Sequence, residues 1–245
     1  MMPAPVQRRS LWRSTLNAAV SLLLFVEPVA SAECPANNVG EAVSAETISD
    51  AVGRCEAIEQ VGRFGDTICI NGPIGAATFA EFSALFDGVT LAIVSSGGGD
   101  SEPAIKIAEA IWRAHLDVVF FKACYSACAN YLFLAARRKF LVDDVVAAWH
   151  GSPALFPVSR VGQLGEATRE TVLQRIREHE DFLTSLGEEK RAAFSRLMDE
   201  PPPRVRATRS PTSLTFNRFW WYSDEDLCSR FKVEGIVRVR RVGPR

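Results

Sequence analysis

The sequence predicts a single α/β domain, a parallel sheet assembled from βαβ units and flanked by helices, preceded by an N-terminal export signal. Three observations carry this expectation. Short apolar runs alternate with segments of helical periodicity, the pattern of right-handed βαβ crossovers. The runs are nearly continuous in apolar character, as strands covered on both faces require. The composition, 47% hydrophobic, 23% charged and 9% aromatic, is that of an ordinary globular protein, and 245 residues suit one large α/β domain.

Residues 1–32 stand apart from the fold. Arg8, Arg9 and Arg13 form a basic start, residues 16–29 form a short apolar stretch, and Ala30-Ser31-Ala32 supplies the small residues of a cleavage site. The apolar stretch contains Glu27 and is shorter than the ~20 residues of a spanning helix. The expectation is therefore a cleaved signal peptide, a mature chain beginning at Glu33, and a periplasmic or secreted location. Gln7-Arg8-Arg9-Ser10-Leu11-Trp12 suits the twin-arginine route as well as general secretion. Glu33 sits before Cys34 where a lipid-attachment site needs a small residue, so no lipid anchor is expected. Cleavage removes three Arg and one Glu from 28 basic and 29 acidic residues, leaving 25 against 28, a net charge of −3. That balance gives no footprint for nucleic acid.

The elements follow in order. Residues 43–58 suit one short helix. Residues 67–70 form a compact β-rich run stopped by Asn71-Gly72-Pro73. Phe79, Phe82, Leu85 and Phe86 fall at helical spacing and predict a helix over 76–86. A second strand over 89–94 runs into Ser95-Ser96-Gly97-Gly98-Gly99-Asp100, and Ala104, Ile107, Ala108 and Ile111 mark the buried stripe of a helix ending near His115. A third strand covers 116–121, a helix 127–136 and a further strand region 142–149. Residues 165–198 read as a long charged amphipathic stretch, interrupted near Gly187 and stopped by Pro201-Pro202-Pro203. Its apolar face is expected to need a partner, hence a homo-oligomer. The tail from Thr215 holds Phe216, Phe219, Trp220, Trp221 and Tyr222, of which the run Trp220-Trp221-Tyr222 suits core or subunit interface, followed by a small helix over 224–231 and a strand near Ile236.

Three segments fall at the carboxyl ends of successive strands, where open α/β sheets place their ligands. They are the loop Gly97-Gly98-Gly99, the turn Cys124-Tyr125-Ser126-Ala127-Cys128, and Trp149-His150-Gly151. A serine hydroxyl becomes a useful nucleophile when a base within hydrogen-bond reach takes its proton, so Ser126 with His150 is a candidate pair. Read alone, Ser126 would be a helix cap, and His115 and His179 read as structural.

These segments resemble the core of the Clp protease proteolytic subunit and its relatives, the signal peptide peptidases and crotonase-like enzymes. Ser96-Gly97-Gly98-Gly99-Asp100 resembles the family's Ser-Pro-Gly-Gly loop, with Gly97 where proline is usual. Tyr125-Ser126-Ala127 resembles its nucleophile turn and Trp149-His150 its histidine segment. Weaker likeness extends to Ser223-Asp224-Glu225-Asp226-Leu227 and Glu234-Gly235-Ile236. The resemblance implies a core over 67–155, a helical insert over 165–198, through which the family's subunits pack, and a closing segment over 215–238, all within a domain over 33–245. It implies Ser126 as nucleophile, His150 as base, and backbone N–H groups of Gly98 and Ala127 as the oxyanion hole. The family supplies an aspartate as third member, and the nearest counterpart is Asn217, with Asp199 and Asp224 as other candidates.

The resulting expectation is an extracytoplasmic serine hydrolase, a peptidase acting on a peptide or a small ester or amide. The alternative is a catalytically inactive binding or assembly module of the same fold. A crotonase-like acyl-CoA enzyme is disfavoured by export. The chain has no Gly-x-x-x-x-Gly-Lys-Ser/Thr loop, and export excludes an ATP-driven unfoldase partner. No cofactor or metal is expected. All six cysteines, Cys34, Cys55, Cys69, Cys124, Cys128 and Cys228, follow residue 32, and an even number in an oxidising compartment predicts disulfides. Cys124 with Cys128, or Cys34 with Cys55, are the favoured pairs. A zinc site with His150 lacks a fourth ligand, and a cysteine nucleophile is disfavoured because export favours oxidised cysteines.

Overall fold

The computed structural model describes residues 44–151, 161–199, 205–209 and 216–241. The leader expected over 1–32, and Cys34, lie outside the described residues. No helix among the described residues is long and apolar enough to cross a membrane.

The fold is mixed α/β, with a mostly parallel sheet and helices on its faces. Helix α1 (Ala45–Glu56) is capped by Ser44, whose side chain accepts from the Thr47 N–H, satisfying one of the orphan amides of the first turn. Strands β1 (Val61–Phe64) and β2 (Thr67–Asn71) form an antiparallel hairpin. Helix α2 (Ala76–Leu85), strand β3 (Leu91–Ser96), helix α3 (Ser101–Arg113) and strand β4 (Asp117–Tyr125) follow as two crossover units. Next comes a short helix, α4, whose π-helical turn Cys128–Leu132 runs into Phe133–Ala135. Then come β5 (Lys139–Val142), β6 (Ala147–Ala148), α5 (Glu166–Ser185), α6 (Glu188–Asp199), β7 (Val205–Arg209), β8 (Phe216–Trp220), α7 (Asp224–Ser229) and β9 (Ile236–Val239).

The seven-stranded sheet runs β1-β2-β3-β4-β5-β9, with β6 paired to the end of β4. All its pairings except β1 with β2 are parallel. Alternation along each strand sorts the side chains onto two faces. Ile68, Ile70, Ala92, Val94, Val118, Phe120 and Leu141 join the larger core under α2 to α6. Their neighbours Cys69, Ile93, Val119, Phe121, Phe140 and Val142 join a second core that buries Ile48, Ala51, Val52 and Cys55 of α1. Both faces are thus covered, which is why these strands carry no polar alternation.

Several expectations change in detail. The strand region expected over 142–149 is β5 and β6 separated by a turn. β5 begins at Lys139, a residue that disguises a core strand: its side chain is buried and its Nζ donates to the carbonyls of Ala136 and Glu234 at 2.8 and 3.0 Å. The expected insert is two helices joined at Gly187, whose φ of 92° ends α5. Its apolar face is not left without room. Phe182, Leu183, Leu186, Ala193, Phe194 and Leu197 are buried in the larger core, because α5 and α6 fold back over α3 and α4. Hairpin β7–β8, antiparallel with Thr208 opposite Asn217, was not expected from the sequence. Cys55 pairs with Cys69, not with Cys34, and Cys124 pairs with Cys128. The first pairing ties α1 to β2 through positions that share one face; Cys228 is disulfide-bonded as well.

Candidate functional site

The three segments singled out in the sequence meet at the carboxyl edge of the sheet, and the backbone explains how. Beyond Ser96 the chain leaves β3 in a loop that bridges to Ile74: the Ile74 N–H donates to Gly98 O at 2.9 Å, and the Asp100 N–H donates to Ile74 O at 2.9 Å. The approach is too close for side chains. A Cβ on Gly99 would lie 2.0 Å from Ile74 O, and one on Gly98 would lie 2.6 Å from both the Ser126 Cβ and Tyr125 O. Gly98 also has φ of 94°, in the region that favours glycine. Gly97 faces open space.

Ser126 follows the last residue of β4 and takes φ of 56°, a left-handed conformation uncommon for residues with a Cβ. Its N–H donates to Ala148 O at 2.9 Å and its carbonyl accepts from the Asn130 N–H at 2.8 Å. The first bond extends the parallel pairing of Cys124 with Ala147 and Tyr125 with Ala148. That pairing carries the chain of β6 past the serine, so that Trp149 and His150 arrive beside it. Ser126 Oγ and His150 Nε2 are 2.5 Å apart.

His150 is held from the other side as well. Trp149 and Trp220 exchange two backbone hydrogen bonds, each 2.8 Å, which docks the end of β8 against the histidine segment. Trp149 is fully buried against Phe133 and Tyr222. Phe219 meets the His150 ring edge to face at 4.9 Å and lies 5.7 Å from the Tyr125 ring. Asn130 Nδ2 donates to Gly151 O at 2.8 Å, so one side chain of α4 ties the helix after Ser126 to the residue after His150. Burial pushes the His150 imidazole below its ordinary value, keeping it neutral and able to accept a proton near pH 7.

The remaining expected site residues are less simply placed. Ala127 opens α4, where amide groups have no intrahelical acceptor. The Gly98 N–H, the other expected oxyanion donor, is donated to Ser96 Oγ at 3.0 Å. Ser96 is buried and was not distinguished from the rest of the loop by sequence pattern. Asp224 does not orient His150: its carboxylate grips the Arg238 guanidinium at 2.5 and 2.8 Å. Asn217 lies on β8 two residues before Phe219, and its side chain, like that of Asp199, falls outside the described set. Among the described residues no carboxylate lies within ion-pair distance of His150, and no cluster of three potential metal ligands occurs. His179 is a core residue, its Nδ1 3.2 Å from the Tyr131 hydroxyl.

Chemically, this arrangement provides a hydroxyl paired with a neutral imidazole at a helix N-terminus, beside a loop of close-packed backbone. Ser96, Asn130, Phe219 and Trp220 complete the surroundings. Sequence pattern marked Ser96 only as part of the loop and Phe219 and Trp220 only as aromatic residues of the tail, and Asn130 not at all; their place beside Ser126 and His150 follows from proximity in space.

No protein-family model matches the chain, and no curated protein matches it. Among solved structures, the chain is similar to a mutant of ClpP1 from Listeria monocytogenes, at 16% identity and a TM-score of 0.45, over 71% of this chain and 91% of that one. This is a distant likeness of fold.

Proposed function

We propose that this protein is an extracytoplasmic serine hydrolase, a peptidase in which Ser126 attacks a peptide, ester or amide carbonyl and His150 takes the hydroxyl proton. The observation that supports this reading is the 2.5 Å contact between Ser126 Oγ and His150 Nε2, made at a turn of positive φ. A core serine that merely capped a helix would have no need of a strained turn aimed at an imidazole. In this reading His150 hands the proton to the leaving group, and an acyl-Ser126 ester is then hydrolysed by water activated on the same imidazole. The carbonyl oxygen would accept from the Ala127 N–H and from the Gly98 N–H, displacing Ser96 Oγ from the latter.

A second reading, a catalytically silent binding module, is favoured by one observation: the Gly98 N–H is already bonded to Ser96 Oγ. Reaction with a fluorophosphonate probe, with the labelled residue mapped, separates the two. The hydrolase labels at Ser126, and Ser126→Ala and His150→Ala each abolish labelling and hydrolysis, the double mutant being no worse than either single mutant. Absence of labelling in the folded wild type, together with no turnover of a broad peptide and ester panel, would decide for the binding module. Asn217→Asp tests the third member: a carboxylate at the orienting position raises the rate if Asn217 fills it.

A further inference from the structure

Serine nucleophiles on strand-to-helix turns are commonly flanked by glycine, which lets the neighbouring backbone accept the sharp turn. Here the flanking residues are Tyr125 and Ala127, and something else must hold Ser126 at φ of 56°. Two hydrogen bonds of its own backbone contribute, to Ala148 and from Asn130. The remaining constraint is covalent. Cys124 is the next-to-last residue of β4, Cys128 opens the π-helical turn of α4, and a disulfide joins them across Ser126 with Cα atoms 5.2 Å apart.

We propose that the Cys124–Cys128 disulfide is a positioning element of the nucleophile, clamping the strand-to-helix turn so that Ser126 Oγ meets His150. The proposal rests on the hydrolase reading above. Both sulfurs belong to fully buried residues, so the bond is a permanent clamp and not a surface switch. Cys124 is anchored through its pairing with Ala147 of β6 and Ser96 of β3. Fixing Cys128 to it therefore fixes α4 relative to the strand pair that delivers both the glycine loop and the histidine. A second disulfide, Cys55–Cys69, joins α1 to β2 in the second core and touches none of these segments, which makes it a control.

The experiment compares wild type, Cys124→Ala/Cys128→Ala and Cys55→Ala/Cys69→Ala in thermal melting, in saturation kinetics of fluorophosphonate labelling, and in the imidazole resonances of His150. Loss of the clamp is expected to lower the maximal labelling rate about a hundredfold, the effect of roughly 1 Å of misplacement of a reacting group. The half-saturating probe concentration should stay unchanged, and the His150 resonance should shift while those of His115 and His179 stay in place. The control variant melts lower and labels as wild type. Labelling of Cys124→Ala/Cys128→Ala within twofold of wild type, with only its melting temperature reduced, would overturn the proposal. If that variant does not fold, Cys124→Val/Cys128→Ala, which keeps more of the buried volume, is read by the same criteria. If wild type itself does not label, the hydrolase reading fails, and the clamp is judged by the His150 resonance alone: an unmoved resonance in the variant rejects it, a moved one retains it.

Discussion

Replacing Gly98 with alanine would set a methyl group 2.6 Å from the Ser126 Cβ and 2.6 Å from Tyr125 O. Carbon atoms in contact sit about 3.5–4.0 Å apart, so the loop or the nucleophile turn must give way by about 1 Å. The loop is tied by the Ile74 bridge, and the turn by β6 and the disulfide. Two costs follow: alanine at φ of 94° carries about 1–3 kcal/mol of backbone strain, and overpacking adds about 1–3 kcal/mol. The expected loss is about 2–6 kcal/mol, which for a domain of this size lowers the melting temperature by roughly 10 °C. A nucleophile displaced by about 1 Å would also label about a hundredfold more slowly. Gly97→Ala is the internal control, since its Cβ meets nothing within 4 Å and its φ is not positive; its effect should stay within about 0.5 kcal/mol. Calorimetric melting and fluorophosphonate labelling of the two variants check the reasoning. Equal melting temperatures and equal labelling rates for Gly98→Ala and wild type would refute it.

Three further outcomes are expected. In the hydrolase reading the neutral imidazole of His150 is the working form, and since burial lowers its pKa, activity is retained above the folded-state pKa and lost as pH falls through it. The acid midpoint of the hydrolysis profile should lie below the ordinary 6.5, and a midpoint at or above 6.5 would contradict this assignment of the base. His179 is fully buried and its pKa is pushed down to about 4. The unfolded chain thus binds a proton there first, stability falls as pH drops from about 6.5 to about 4 by up to roughly 3 kcal/mol, and His179→Phe should flatten that slope in denaturant titrations at several pH values. The apolar face of α5 and α6 is buried within the chain, and among the described residues Leu173 of α5 is the exposed large hydrophobic side chain, too little apolar surface by itself for a stable interface; light scattering at high micromolar concentration should find a monomer, and an oligomer that Leu173→Ser dissolves would contradict this.

The sequence alone determined the βαβ order at the centre of the sheet, β2 to β4 with α2 and α3 between them, because strands buried on both faces must be written as apolar runs and α3 must show its stripe of Ala104, Ile107, Ala108 and Ile111. It also marked the glycine loop, Ser126 and His150, which the structure brings together, since close backbone approach demands glycine and a serine and a histidine at successive strand ends stand out as residue types. β5 stayed hidden because a buried lysine reads as surface until its backbone acceptors are known. The paired faces of α5 and α6 could not be assigned to self or partner, for amphipathicity says that a face is covered and not by what. Only the tertiary structure decided that Ser96 Oγ holds the Gly98 N–H, that Asn130 reaches Gly151, that Asp224 belongs to Arg238, and that Cys55 faces Cys69. These are contacts between residues of common type, several of them far apart in the chain. Their identity is set by which atoms the packed sheet brings within hydrogen-bond or covalent reach, a quantity that no local pattern of residues encodes.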